Sequence, residues 1–314
     1  LYGDGMITPA IFVVSAVEGL EQLNPDLHPY VVPVSCCILL GLFLVQSHGT
    51  ARIGVAFGPI MVVWFATLAG LGLLHIGEHP QVLAAFSPHY GLEYIASHGR
   101  GSIVIMGMVL LAVTGCEALY ADIGHFGRPP LLRSWFSLVM PALLLNYMGQ
   151  GAMILARPEL ESARDFHLFF ALVPKPLLVP VLILATVSTI IASQAMITGV
   201  YSLTQQAVRL GFMPRLRIIH TNPDVRGQIY MPQVNFLLMV SCIALVIGFR
   251  SSSRLAAAYG RPVSLEMLLT SLLFFFVARR VWHWPLWKAL PPVVLFAIVE
   301  LGYVSGSLMK FWEG

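Results

Sequence analysis

Charged residues are scarce in this chain of 314 residues, where Asp, Glu, Lys and Arg together make up 11%. A soluble domain carries about 25% charged residues. Hydrophobic residues make up 57% of the chain, and the formal net charge is only +3. The composition excludes an ordinary soluble protein and predicts a membrane protein that crosses the bilayer several times. Because there is no basic stripe, no nucleic-acid partner is expected.

The sequence also lacks the patterns that mark metal centres and common enzymes. Its four cysteines lie in apolar runs without C-x-x-C spacing, and its histidines do not stand at zinc-ligand spacing. It contains no G-x-S-x-G, H-E-x-x-H or P-loop motif. We therefore predict that the chain is not an enzyme and carries no resident cofactor.

Long apolar runs are what the sequence does contain. A helix needs about 20 apolar residues to cross the hydrocarbon core, and these runs do not alternate apolar and polar faces as soluble helices do. The predicted fold class is an all-α polytopic membrane protein, with one transmembrane domain over residues 1–314. The first run is expected to be partial. The predicted spans are 6–20, 30–46, 55–76, 102–121, 132–155, 177–204, 233–249, 255–278 and 288–309.

The distribution of basic residues predicts the orientation of these spans. If the first run ends on the outer side of the membrane, the inner loops contain more Arg and Lys than the outer loops. The positive-inside rule therefore favours this orientation. The longest basic loop, 205–232, is then cytoplasmic. An amphipathic helix on lipid head groups is the form considered for it.

The segment Tyr2–Ala10 places polar groups in the first apolar run. Asp4 and Thr8 are four residues apart and share one helix face. Pro9 has no N–H, so we expect it to break the helix and leave the carbonyl of Gly5 free. Carboxylate, hydroxyl and carbonyl oxygens are the ligands that replace water around an alkali cation. An ordinary capped helix end at the membrane surface is the alternative.

Glu117 follows the apolar stretch Ile103–Cys116. A charge at membrane depth costs about 2.5–3.5 kcal/mol on insertion scales, so Glu117 is predicted to bind a cation or carry a proton. The alternative is a side chain that reaches water at the inner interface. Neutral polar residues in two later runs are predicted mostly to join helices by hydrogen bonds, with a minority lining a pathway: Asn146, Tyr147, Gln150, Ser188, Thr189, Ser193 and Gln194.

Sequence blocks from one end of the chain to the other carry a family resemblance. The blocks are Gly3–Ala10, Ser15–Glu21, Phe57–Met61, Thr114–Gly127, Asn146–Ala152, Ile191–Gln194, Gly227–Tyr230 and Leu255–Gly260. In these blocks, and in their order, the chain resembles the Kup/HAK/KT potassium uptake permeases. The block ending at Gly127 is the most specific of them.

The resemblance implies a LeuT-like inverted-repeat fold, of the amino acid-polyamine-organocation superfamily type, with about twelve spans, of which this chain holds about nine. It implies potassium:proton symport by a multi-pass protein of the inner (cytoplasmic) membrane. Potassium ion, proton and lipid bilayer are the implied partners, and a homodimer is left open. The family's cation-site acid falls on Asp4, its threonine on Thr8, its second essential acid on Glu117 and its later aromatic residue on Tyr259.

The chain departs from the family pattern in three respects. The opening spans, which supply another aspartate, and the final span are expected to be missing. Phe12 stands where a serine is usual, about two turns from Asp4 on roughly the same helix face. Arg261 places a positive charge near the proposed path, and Glu266 is five residues away, a poor spacing for a helical ion pair. Gly5, Phe12, Arg261 and Glu266 are therefore predicted to modify the site.

Two other functions stay open at this point. Arg261 could bind a carboxylate, which fits a transporter of the same fold that carries an amino acid or an organic cation. Phe12, Arg261 and the missing spans also fit a degenerate homologue that does not transport.

Overall fold

The structure is a computed structural model that describes residues 2–48, 51–112, 127–157, 167–220 and 229–313. The described residues form two compact units. The first unit comprises the described parts of 1–86 and 116–252, and the second comprises those of 87–115 and 253–314. The prediction of a single domain over 1–314 stays a prediction.

Helices make up nearly all of the described residues. In chain order the α-helices are α1 (Tyr2–Glu18), α2 (Val31–Val45), α3 (Ala51–Glu78), α4 (Pro88–His98), α5 (Arg100–Ala112), α6 (Arg128–Ser134), α7 (Met140–Ala156), α8 (Leu168–Ala171), α9 (Leu178–Arg209), α10 (Pro232–Phe249), α11 (Ser252–Arg280) and α12 (Leu286–Glu313). A π-helical turn, Trp135–Val139, joins α6 to α7. Short 3-10 helices cover Gly19–Gln22, Pro25–Tyr30, Gln46–His48, Pro80–Phe86 and Lys175–Leu177.

Eight helical segments among the described residues are long and apolar enough to cross a membrane. They coincide with eight of the nine predicted runs, so the prediction of an all-α polytopic membrane protein is confirmed. The remaining run, 102–121, is helical in α5 as far as Ala112, and the rest of it lies outside the described residues.

The basic loop 205–232 differs from the amphipathic helix considered for it. Helix α9 continues to Arg209, and the chain then forms two short strands, β1 (Ile219–His220) and β2 (Ile229–Tyr230), which pair antiparallel. The described part of this loop beyond Arg209 therefore contains no amphipathic helix, and that expectation is wrong for these residues.

Helix α1 is the centre of the first unit. It packs against α2, α9 and α10, and Ala10, Val13 and Val14 are fully buried. A helix that is surrounded on several sides has no polar face to present. This explains why the α1 sequence is apolar around most of its circumference and why its few polar groups are buried with it.

Glycines permit close approach of two helix pairs. Helix α3 meets α7 where a Cβ atom at Gly149 would overlap the backbone of Gly72. Within the second unit, α5 meets α12 where Gly107 lies against Gly306 in the same way. Small residues at such positions let backbones touch, which is how membrane helices associate without a hydrophobic driving force between them.

Candidate ion-binding site

Asp4 and Thr8 form a buried carboxylate–hydroxyl pair on α1. The Oγ1 atom of Thr8 donates a hydrogen bond of 2.6 Å to Oδ1 of Asp4. Asp4 is 7% exposed and Thr8 is 9% exposed. The spacing of four residues places both side chains on one helix face, as predicted. Two oxygen-bearing groups thus lie together in an apolar environment, away from water.

Pro9 does not break the helix. Helix α1 runs without interruption from Tyr2 to Glu18, with Pro9 buried inside it, so the predicted break is wrong. A proline in a helix interior costs about 3 kcal/mol. The packing of α1 against α2, α9 and α10 offsets this cost.

The carbonyl that Pro9 leaves without a helical donor faces a thiol on α10. The Sγ atom of Cys242 lies 4.0 Å from the Gly5 oxygen and donates to the Met6 oxygen at 3.0 Å. Cys242 is fully buried. Pro9 has no N–H to donate to the Gly5 carbonyl, and the thiol near this carbonyl is a weak donor. That the carbonyl is available to an ion stays a prediction.

Two contacts fix α1 on α9 beside this pair. A hydrogen bond of 2.5 Å joins Tyr2 Oη to Thr204 Oγ1. One turn further along α1, a Cβ atom at Gly5 would overlap the side chain of Val200. Glycine at position 5 therefore lets α1 and α9 approach closely next to Asp4.

A buried hydrogen-bond network joins the helices around α1. Tyr201 on α9 donates to Oδ1 of Asn235 on α10 at 2.7 Å, and Asn235 Nδ2 donates to the carbonyl of Phe43 on α2 at 3.1 Å. Gln46 donates to Gln194 at 2.7 Å. The prediction that most of the neutral polar residues join helices is thus confirmed for Gln194, whereas the hydroxyls of Thr189 and Ser193 bond to carbonyls of their own helix. The other members of this network carried no signal beyond a polar residue in an apolar run.

Phe12 lies one turn beyond Thr8 and is half-buried. Positions 4, 8, 12 and 15 are separated by steps of four, four and three residues, which keeps them on one helix face. The face therefore presents a carboxylate, a hydroxyl, an aromatic ring and a second hydroxyl, that of Ser15, in this order.

The site residues predicted later in the chain belong to the second unit or fall outside the described residues. Tyr259 is buried, Arg261 is half-buried and Glu266 is exposed, and all three belong to α11 in the second unit. Asp4 and Thr8 belong to the first unit. Glu117 lies outside the described residues.

Two buried acids were missed by the sequence analysis as site candidates. Glu300, in the middle of α12, is 6% exposed, and its Oε1 atom accepts a hydrogen bond of 2.6 Å from Ser271. Glu18, at the end of α1, is 5% exposed and accepts hydrogen bonds from the N–H and the hydroxyl of Ser252. The signal for Glu300 was available, because it interrupts the apolar run 288–309.

The described helices and this buried oxygen pair define a multi-pass α-helical membrane protein with polar groups at membrane depth. The whole chain, residues 1–314, matches the family described as K+ potassium transporter integral membrane domain. The chain belongs to this family, which confirms the resemblance drawn from its sequence blocks. A family of transporters also agrees with the prediction that the chain is not an enzyme.

Several curated relatives are similar over the full chain. A probable potassium transport system protein Kup 2 of Syntrophobacter fumaroxidans (strain DSM 10017 / MPOB) is 54% identical over 314 residues, 100% of this chain and 48% of the relative. A Kup 1 protein of Paramagnetospirillum magneticum is 53% identical over 312 residues, 99% of this chain and 48% of the relative. A Kup protein of Myxococcus xanthus is 51% identical over 314 residues, again 100% and 48%. The chain spans about half the length of these relatives.

Proposed function

We propose that this chain forms the central part of a potassium transporter of the inner membrane that couples potassium uptake to proton symport. The hydrogen bond between buried Asp4 and Thr8 carries the proposal. The family description and the names of the relatives, which are potassium transport system proteins, support the choice of ion.

The proposed role of Asp4 follows from the cost of burying a charge. A carboxylate taken out of water is strongly disfavoured unless a cation or a proton accompanies it. Potassium gives up its hydration shell to a set of protein oxygens. The Asp4 carboxylate supplies the compensating charge, the Thr8 hydroxyl supplies a second oxygen, and the Gly5 carbonyl is a third candidate.

The remaining groups of the proposal come from the resemblance. Tyr259 closes the site, Glu117 is the second acid that ligates the ion or passes the proton, and Phe12, Arg261 and Glu266 modify the path. The proposed arrangement of the helices is a LeuT-like inverted-repeat fold. The eight candidate membrane spans among the described residues, against about nine expected for this part of the fold, support it. A homodimer stays a prediction.

Rubidium uptake tests the proposed function. The protein is expressed from its complete gene in potassium-starved cells that lack other potassium uptake systems. Asp4→Asn keeps the size of the side chain and removes its charge. We expect the rubidium uptake rate at low concentration to fall about thirtyfold or more, because losing one member of a buried charge pair costs at least about 2 kcal/mol.

The control is Glu93→Gln, which makes the same chemical change at an exposed position on α4, and it should leave uptake unchanged. A protonophore should abolish the uptake of the unsubstituted protein, and Glu117→Gln should remove this proton dependence. If the correctly inserted protein takes up no rubidium, or if Asp4→Asn transports normally, the proposed function is wrong.

A further inference from the structure

A cavity of about 340 Å³ lies among α1, α3, α8 and α9 of the first unit. Its lining includes aromatic and polar side chains beside a few small or aliphatic ones. Aromatic walls come from Trp64, Phe169 and Phe170, and polar groups come from the hydroxyls of Ser15 and Thr189 and the imidazole of His167. Among the described residues, neither lysine nor arginine lines the cavity. Rings and hydroxyls without a fixed positive charge are an environment that favours a cation over an anion.

The aromatic walls are held in place by their neighbours. The rings of Trp64 and Phe169 meet at 63° with centroids 5.5 Å apart, and Phe169 meets Phe170 at 65° with centroids 5.1 Å apart. Phe170 belongs to a hydrophobic cluster that includes Leu182 and Ala185 of α9. The rings therefore have little freedom to collapse into the cavity.

A carboxylate stands beside the cavity. Oε2 of Glu21 lies 3.7 Å from Nε2 of His167, and its Oε1 lies 2.7 Å from Nδ1 of His28. The Glu21 side chain is 17% exposed. Its negative charge, next to a side chain that lines the cavity, adds to the attraction for a cation.

We propose that this cavity is a second binding site, which takes a weakly hydrated monovalent cation. Six waters occupy about 180 Å³ at about 30 Å³ each, so the cavity accommodates a potassium ion with most of its hydration shell. Ser15 lies seven residues beyond Thr8, about 10 Å along the same face of α1, with Phe12 between them. We infer that the cation passes from this site, past the ring of Phe12, to the Asp4–Thr8 pair. This part of the inference rests on the proposed function.

Tetramethylammonium is a suitable probe because aromatic side chains bind quaternary ammonium ions and because this ion cannot use an oxygen cage. The thermal unfolding of the purified complete protein in detergent is followed at constant ionic strength, with N-methylglucamine as the reference cation. A ligand that binds the folded state raises the unfolding temperature. We expect tetramethylammonium to raise the unfolding temperature. The substitution Trp64→Leu should weaken the apparent affinity for tetramethylammonium about threefold to thirtyfold.

Rubidium uptake supplies the second readout. Thr189→Val is close in size and removes an oxygen from the cavity, so KM should rise severalfold with little change in the maximal rate. The matched control is Thr186→Val, one turn earlier on α9. Both hydroxyls donate to a carbonyl of their own helix, but only Thr189 is among the residues that line the cavity, so the control should change neither readout. An unfolding temperature that does not respond to tetramethylammonium, or that responds equally in Trp64→Leu, overturns the second site. If the protein takes up no rubidium but the temperature shift appears and depends on Trp64, the second site stands and the proposed function fails.

Discussion

Tyr201 and Asn235 are joined by a buried hydrogen bond of 2.7 Å across 34 residues of sequence. Asn235 in turn donates a hydrogen bond of 3.1 Å to the carbonyl of Phe43. Three helices, α2, α9 and α10, are therefore linked by one amide side chain. The same three helices pack against α1, which carries Asp4 and Thr8. The network holds the surroundings of the candidate site in one arrangement.

Removing this amide should loosen the first unit. Asn235→Leu keeps the volume roughly constant but leaves the Tyr201 hydroxyl and the Phe43 carbonyl without this partner. Side-chain hydrogen bonds between membrane helices contribute about 0.6 kcal/mol on average and up to about 1.7 kcal/mol. We expect the free energy of unfolding to fall by about 1–3 kcal/mol, measured by denaturant titration in detergent micelles. The double variant Tyr201→Phe/Asn235→Leu should lose less than the sum of the two single variants, and simple additivity would contradict a direct interaction.

A methyl group at Gly149 should separate α3 from α7. Its Cβ atom would overlap the Gly72 backbone, which cannot move aside as a flexible side chain can. Gly149→Ala is therefore expected to destabilise the protein by about 1–3 kcal/mol. The control is Gly70→Ala on the facing helix α3, where the added Cβ meets nothing within 4 Å. That change should be neutral or slightly stabilising, because alanine favours helices. Equal effects of the two substitutions would argue against close backbone packing here.

Replacing Pro9 should make α1 more stable but weaken the binding of the ion. Pro9→Ala restores an N–H that can bond to the Gly5 carbonyl, so α1 should become more stable by about 1–3 kcal/mol. If the free Gly5 carbonyl is an ion ligand, the same substitution should raise the KM for rubidium. Denaturant titration and rubidium uptake measure the two effects. Cys242→Val, which removes only the thiol near this carbonyl, serves as the comparison. A more stable Pro9→Ala protein with unchanged KM would remove Gly5 from the proposed site.

The hydroxyl of Thr8 can be tested without changing the shape of α1. Thr8→Val removes the oxygen that bonds to Asp4, and we expect the KM for rubidium to rise about tenfold, as the loss of about 1.4 kcal/mol predicts. Thr8→Ser keeps the oxygen and should stay within about twofold of the unsubstituted protein. Thr198→Val on α9 removes a hydroxyl that bonds only to the Gln194 carbonyl and provides the control. A normal KM in Thr8→Val would show that the hydroxyl does not ligate the ion.

Much of the fold could be predicted from sequence because the bilayer imposes a simple rule. A backbone in hydrocarbon must satisfy its own hydrogen bonds, so each long apolar run becomes a helix. Eight runs were placed correctly on this basis. The pairing of Asp4 with Thr8 was also predictable, because the helical repeat alone places residues four apart on one face.

The path of the chain at Pro9 was not predictable in the same way. Local chemistry favoured a break, whereas α1 remains helical because helices from distant parts of the sequence surround it. The burial of Glu300 and Glu18, the Tyr201–Asn235–Phe43 network and the cavity beside Trp64 also depend on such contacts. The sequence by itself determined which segments cross the membrane and which polar groups share a helix face, since both follow from local periodicity. Only the tertiary structure decided which of those groups meet across helices, because packing joins residues that no local rule relates.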